Sequence, residues 1–193
     1  MAAQDRPLRA DAQRNRDTLI AVARTAFTAA DAGVPLEDIA RDAGLGIGTL
    51  YRHFPTREAL VEAVYAAELT AITTSAPALL AAHPADLALR AWMDSYARFA
   101  AMKRGMIDTL RAGWAAGRIA TPATRERITG AIAAFLDAGA ADGTLRADVD
   151  PDDVTVILLG TFLATAGSST PEQTGRVLDL IIGGLRPDAD RTA

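Results

Sequence analysis

The chain has 193 residues, half of them hydrophobic, and a net charge of −4, which suits one large domain or two small ones sharing a core and gives no general electrostatic pull toward nucleic acid. It has no cysteine and only two histidines, His53 and His83, which excludes disulfides and thiolate or multi-histidine metal sites. No charged n-region leads into an apolar run where Asp5, Arg6, Arg9, Asp11 and Arg14 come early, so a cytoplasmic protein is expected rather than a secreted one.

Nearly every segment has helical spacing and no sustained period-2 run occurs, so the chain reads as all-α with about nine helices. A first helix is expected from Asp11 to about Asp31, with Leu19, Ile20, Val22, Ala23, Ala26 and Phe27 on one side and Gly33 as its stop. Pro35 opens a short second helix, LEDIARDA, whose Glu37 and Asp38 sit in the first turn, where the helix dipole favours acids. Gly44 closes it. Only Leu45 and Gly46 remain before the next helix must begin, and so short a turn forces two helices to cross steeply, as in a helix-turn-helix. Ile39, Ala43, Leu45 and Leu50 supply its buried contacts, and the small Ala40 lets the third helix approach the second.

Gly46 falls at the N-cap of the third helix and Gly48 in its first turn, where an interior glycine weakens a helix by up to roughly 1 kcal/mol relative to alanine. Missing side chains there allow a helix end to lie against a DNA groove, with its free N–H groups near a phosphate. A Gly-rich corner inside an ordinary bundle satisfies the same spacing, and spacing alone leaves both readings open.

The run LEDIARDAGLGIGTLYRHFPTREALVEAVY, residues 36 to 65, resembles the DNA-binding segment of the TetR family of transcriptional regulators, above all in GTLYRHF followed by TREAL. The resemblance implies three N-terminal DNA-binding helices, a long linking fourth helix and a larger C-terminal bundle that binds a ligand and forms the homodimer. It places a DNA-binding domain at residues 1–55, with a tail over 1–10, and a ligand-binding and dimerisation domain at residues 56–193. Carried over by position, Gly46, Ile47, Gly48, Thr49, Tyr51, Arg52, His53, Thr56 and Arg57 form the DNA-facing set. Thr49, Tyr51 and His53 would touch the backbone or groove edge, Arg57 would hold a phosphate, and Thr56 would cap the fourth helix toward the backbone. Arg52 either reads guanine or stays in solvent.

Two residues depart from the family pattern. Ile47 stands where members often carry a polar base-reading side chain and can meet only a thymine methyl; Glu37 can accept from a cytosine amino group or remain a solvated helix-start acid. Sparse direct readout shifts specificity toward DNA shape, with Arg6 and Arg9 either reaching a minor groove or belonging to a free tail.

The fourth helix is expected from Thr56 toward Thr74, with Pro77 and Pro84 breaking the pattern after it. A fifth from about Ala85 sets Trp92, Tyr96 and Phe99 on one face, with Met93 and Met102 nearby; Met106, Leu110 and Trp114 follow Gly105. Together with Phe135 and Phe162 these residues form either plain core or, as the resemblance implies, a pocket for a small apolar effector. A later helix ends at Asp142 and Gly143 in an acidic loop, and two final helices are expected over residues 151–167 and 171–185.

The longest uncharged stretch, Val154 to Thr170, carries Thr155, Thr161, Thr165, Ser168 and Ser169, and no membrane span is expected. Ile157, Leu158, Phe162 and Thr165 mark one face of that helix, while Val156, Leu159 and Leu163 leave little of it polar, so it needs cover on more than one side. Val177, Leu180, Ile181 and Leu185 supply the stripe of the last helix, and the pair is expected to join its symmetry mates as a four-helix dimer interface.

The expectation is therefore a homodimeric repressor on a palindromic double-stranded operator, released by a small apolar effector and using no cofactor, metal or catalytic residue. An enzyme is disfavoured because no cysteine, paired histidine or phosphate-binding glycine loop after a strand is present. A bundle that keeps the helix-turn-helix without using it is the rival, since residues 1–65 hold eight arginines against nine acids.

Overall fold

The computed structural model describes residues 5–29, 34–117, 121–165 and 170–187, except for the side chains of 5–9, 29, 104, 105, 108, 114, 121 and 122. The described residues form the helices α1 (Asp5–Ala29), α2 (Leu36–Asp42), α3 (Ile47–His53), α4 (Arg57–Thr73), α5 (Ala76–Ala82), α6 (Ala85–Gly105), α7 (Ile107–Ala115), α8 (Thr121–Asp142), α9 (Pro151–Ala164) and α10 (Pro171–Leu185), with no strand among them. The all-α expectation holds.

Three boundaries differ from expectation. α1 begins six residues early, at Asp5, with Pro7 in its first turn, where a proline costs no intrahelical hydrogen bond. The Arg14–Asp11 pair and the Gln13 to Asp17 hydrogen bond of 2.8 Å then support its next turns. The expected stop at Gly33 lies outside the described residues. α5 is the helix the sequence reading passed over: Pro77 starts it rather than breaking the chain, because it sits within the first two positions. α9 gives way at Thr165, before the expected end at residue 167, which lies outside the described residues.

Packing divides the chain into two compact units, Met1–Glu68 with Met102–Ile119, and Leu69–Ala101 with Ala120–Ala193. In the first, α1 packs on α2 and α3, and Leu19, Ala23, Phe27, Leu36, Ile39, Ala40, Leu50 and Phe54 are buried. α2 ends in a Schellman motif: the Leu45 N–H donates to Ala40 O at 2.9 Å, the Gly44 N–H to Arg41 O at 2.9 Å, and Gly44 takes a φ of 68°. No atom lies within 4 Å of a Cβ added there, so only the backbone angle resists substitution. Gly44→Ala is expected to cost about 1–2 kcal/mol in urea unfolding, with the loss confined to the first unit in hydrogen exchange.

In the second unit, α8 packs on α9 and α5 on α8. Leu145 N–H donates to Gly139 O at 3.0 Å, and a Cβ at Gly139 would come within 2.5 Å of the buried Leu145 side chain, so the chain reversal after α8 depends on that glycine. Asp142 accepts from the Thr144 hydroxyl, the Thr144 N–H and the Ala85 N–H, which together hold its carboxyl below the usual carboxylate range. α6 is tied to α10 by Arg90, whose guanidinium reaches Asp179 at 2.7 Å and Gly175 O at 3.3 Å. Arg186 adds a second tie to Asp86 at 2.7 Å.

The stretch Arg57–Ala82 is long and apolar enough to cross a bilayer, but it is two helices here, and its Leu60, Val61, Val64, Leu69 and Ile72 are buried in the fold. α9, which contains most of the longest uncharged stretch, spans 14 residues, short of the roughly 20 a membrane crossing needs.

Candidate nucleic-acid interface

The first unit presents one short helix end-on to a two-residue turn. Gly46 caps α3 with φ −73° and ψ 147°, offering no side chain, and its carbonyl accepts from Thr49 at 2.8 Å and from Leu50 at 3.2 Å. Leu50 is 0% exposed, so α3 has a defined inner edge. The opposite face carries Ile47, Gly48, Tyr51 and Arg52, all exposed, with Tyr51 at 45%. Gly48 has open space around its Cβ position, so nothing within the protomer demands glycine there. Thr49 and His53, four residues apart, line the flank and are half-buried.

Phe54 ends α3 in an extended conformation, φ −134° and ψ 91°, as a residue before proline favours. Its buried ring lies 5.2 Å from the Arg16 guanidinium carbon. Thr56 caps α4 as expected: its Oγ1 accepts from the Ala59 N–H at 3.2 Å. The cap fixes where α4 starts relative to α3.

Arg57, expected at a phosphate, also makes contacts within the first unit. Its Nη1 donates to Val34 O at 2.6 Å and its guanidinium carbon sits 5.3 Å over the Phe27 ring, so it joins the start of α4 to the α1–α2 connection. The signal was absent from local spacing because its partners lie 23 and 30 residues away in sequence. Arg57→Ala is expected to lower stability by roughly 1–2 kcal/mol in urea unfolding, the combined worth of a charged hydrogen bond and a cation–π contact.

Glu37 is exposed in the first turn of α2. The side chains of Arg6 and Arg9 lie outside the described residues, although the backbone of both is within α1.

The expected effector group divides between the two units. In the second, Trp92, Met93, Tyr96 and Phe99 of α6 are buried with Phe135 of α8 and Phe162 of α9. Tyr96 meets Phe162 edge-on at 5.0 Å and Trp92 at 5.3 Å, and Trp92 meets Phe135 at 5.9 Å. Met102, Met106 and Leu110 are buried in the first unit, because α6 runs on past the division at Ala101. The Trp114 side chain is outside the described residues.

The expected dimer stripe divides as well. Leu158, Phe162 and Leu185 face the interior of the second unit, while Ile157 and Leu180 are exposed and Thr165, Val177 and Ile181 are half-buried. Val156 and Leu163 join the exposed set, Leu163 at 78%. A helix apolar nearly all round gave the sequence reading no means of telling its two faces apart. Among the described residues no group of three or more histidines, cysteines or acids lies together as a metal site.

Comparison with known families matches residues 19–64 to the bacterial regulatory proteins of the tetR family and residues 83–187 to the C-terminal domain described as transcriptional regulator SbtR-like. A TetR transcriptional regulator from Streptomyces coelicolor is 43% identical, with a TM-score of 0.79 over 90% of this chain and 99% of that one. A TetR transcription regulatory protein from Mycobacterium vanbaalenii is 38% identical, with a TM-score of 0.74 over 94% and 100%. A transcriptional regulator from Cytophaga hutchinsonii, 16% identical over 87% and 94% with a TM-score of 0.66, shares the fold. Comparison with curated proteins gave no match.

Proposed function

The chain belongs to the TetR family of bacterial transcriptional regulators, and from that premise we propose that it is a homodimeric repressor that leaves a palindromic operator when a small apolar effector binds. The observation that carries the DNA-binding part is the outward face of α3: Ile47, Gly48, Tyr51 and Arg52 project from a helix whose inner edge is pinned by Leu50 and whose N-cap has no side chain. Such a helix fits a major groove, with Thr49 and His53 on its flank within reach of phosphates.

The buried aromatic cluster of α6, α8 and α9 supports an apolar, ring-containing effector, because rings packed in tilted and edge-on pairs offer an apolar surface on which another ring can lie at little cost in polar contacts. α4 and α6 each contribute residues to both units, which makes them the natural carriers of a signal between effector and operator. A coupling of this kind is typically worth about 1–3 kcal/mol. We read the protein as a cytoplasmic binding switch and not a catalyst.

Exposed Val156, Ile157 and Leu163 on α9, and Leu180 on α10, support self-association through these helices. Leu163→Glu together with Leu180→Glu is expected to convert a dimer to a folded monomer in sedimentation velocity, since both side chains are more than three-quarters exposed in the protomer. A variant that sediments like the wild type would remove this face from the interface.

The test of the DNA-binding reading is Tyr51→Ala in fluorescence anisotropy with a selected operator fragment. Affinity is expected to fall with unfolding stability unchanged. Wild-type affinity in the variant would take the outward face of α3 off the DNA.

A further inference from the structure

We propose that Arg52 is the specificity-determining residue of this regulator and that it reads the major-groove edge of a guanine in each half of the operator; the inference rests on α3 being the DNA-facing helix. It follows from what the other arginines are doing. Residues 10–68 contain six: Arg14, Arg16, Arg24, Arg41, Arg52 and Arg57. Arg14 pairs with Asp11. Arg16 covers the Phe54 ring at 5.2 Å. Arg24 reaches Glu68 at 3.2 Å, tying α1 to α4. Arg41 pairs with Asp38 at 2.7 Å within α2. Arg57 holds Val34 O at 2.6 Å and stacks over Phe27. Arg52 is exposed in the last turn of α3 and contacts no described residue through its guanidinium.

The rest of the face narrows the chemistry. Ile47 has no donor, Gly48 has no side chain, and Tyr51 offers a single hydroxyl. Only the Arg52 guanidinium presents two parallel donors, the pattern that matches the O6 and N7 acceptors of guanine and no other base edge. Gly48 stands one helical turn before Arg52 on the same face, with open space where a Cβ would be. The bare turn permits the helix axis to lie close to the base edges, which puts a long planar side chain one turn further along at the right depth.

The test uses full-length protein and random-sequence selection, followed by anisotropy on the selected DNA and on the same DNA with the half-site guanine changed to adenine. Wild type is expected to fix one guanine per half-site. Arg52→Ala should bind the selected DNA about 5- to 150-fold more weakly per half-site, and should bind the guanine and adenine versions alike. Arg52→Lys should recover part of the affinity and less of the discrimination. Circular dichroism and thermal unfolding should match wild type, as Arg52 is exposed. The proposal is overturned if Arg52→Ala weakens selected and scrambled DNA equally and flattens the salt dependence by about 0.9 per contact, the signature of a phosphate ligand. It is equally overturned if Arg52→Ala keeps the wild-type preference. Wild type selecting no sequence would remove the DNA-facing reading of α3 itself, a separate outcome that takes this inference with it.

Discussion

Trp92→Ala is expected to lose about 3–5 kcal/mol of stability. Trp92 is 0% exposed, meets Tyr96 and Phe135, and donates its Nε1–H to Ile72 O at 2.9 Å, joining α6 to the last turn of α4 within the second unit. Truncation leaves a void among rings that cannot all close on it, and it removes the α6 to α4 tie. Ile72 O keeps the Ser75 hydroxyl at 2.9 Å, so the loss comes mainly from packing and not from an orphaned carbonyl. Trp92→Phe separates the two terms: it keeps most of the ring volume, drops the indole donor, and should cost about 1 kcal/mol. Urea unfolding followed by far-UV circular dichroism checks both.

The second large effect is expected in the first unit. Leu50→Ala should cost about 2–5 kcal/mol, because Leu50 is the inner edge of α3 against α1 and α2. DNA affinity should fall with it, since a loosened α3 no longer holds Tyr51 and Arg52 in one place. Tyr51→Phe, one residue away on the exposed side, should leave stability unchanged. Paired urea unfolding and anisotropy distinguish the two neighbours: Leu50→Ala moves both readouts, Tyr51→Phe at most the second. Equal stability of Leu50→Ala and wild type would contradict the packing described for α3.

The helix-turn-helix was legible because its constraints are local. Gly44 with its positive φ and the Thr56 cap act within a few residues, and each needs a residue type that few others supply. Boundaries set by weaker local signals slipped: α1 began early at a proline tolerated in its first turn, and α5 hid behind a proline taken as a break.

Long-range commitments were not legible. The contacts of Arg57 with Val34 O and the Phe27 ring form only in the folded chain and left no local signal. The aromatic spacing of Trp92, Tyr96 and Phe99 did identify a buried face, yet nothing in it showed that Met102, three residues on from Phe99, belongs to the other unit. On α9 the inward Leu158 and Phe162 and the outward Ile157 and Leu163 alternate within one apolar run, and only packing against α8 sorts them.

The most direct measurement is fluorescence anisotropy of the full-length protein on a fragment selected from random DNA, against a scrambled fragment, across a salt titration. A DNA-binding regulator working through α3 predicts tight binding that is selective for the selected fragment and weakens steeply as salt rises. Equal, weak binding to both fragments across the whole salt series would contradict it and leave the helix-turn-helix a structural corner.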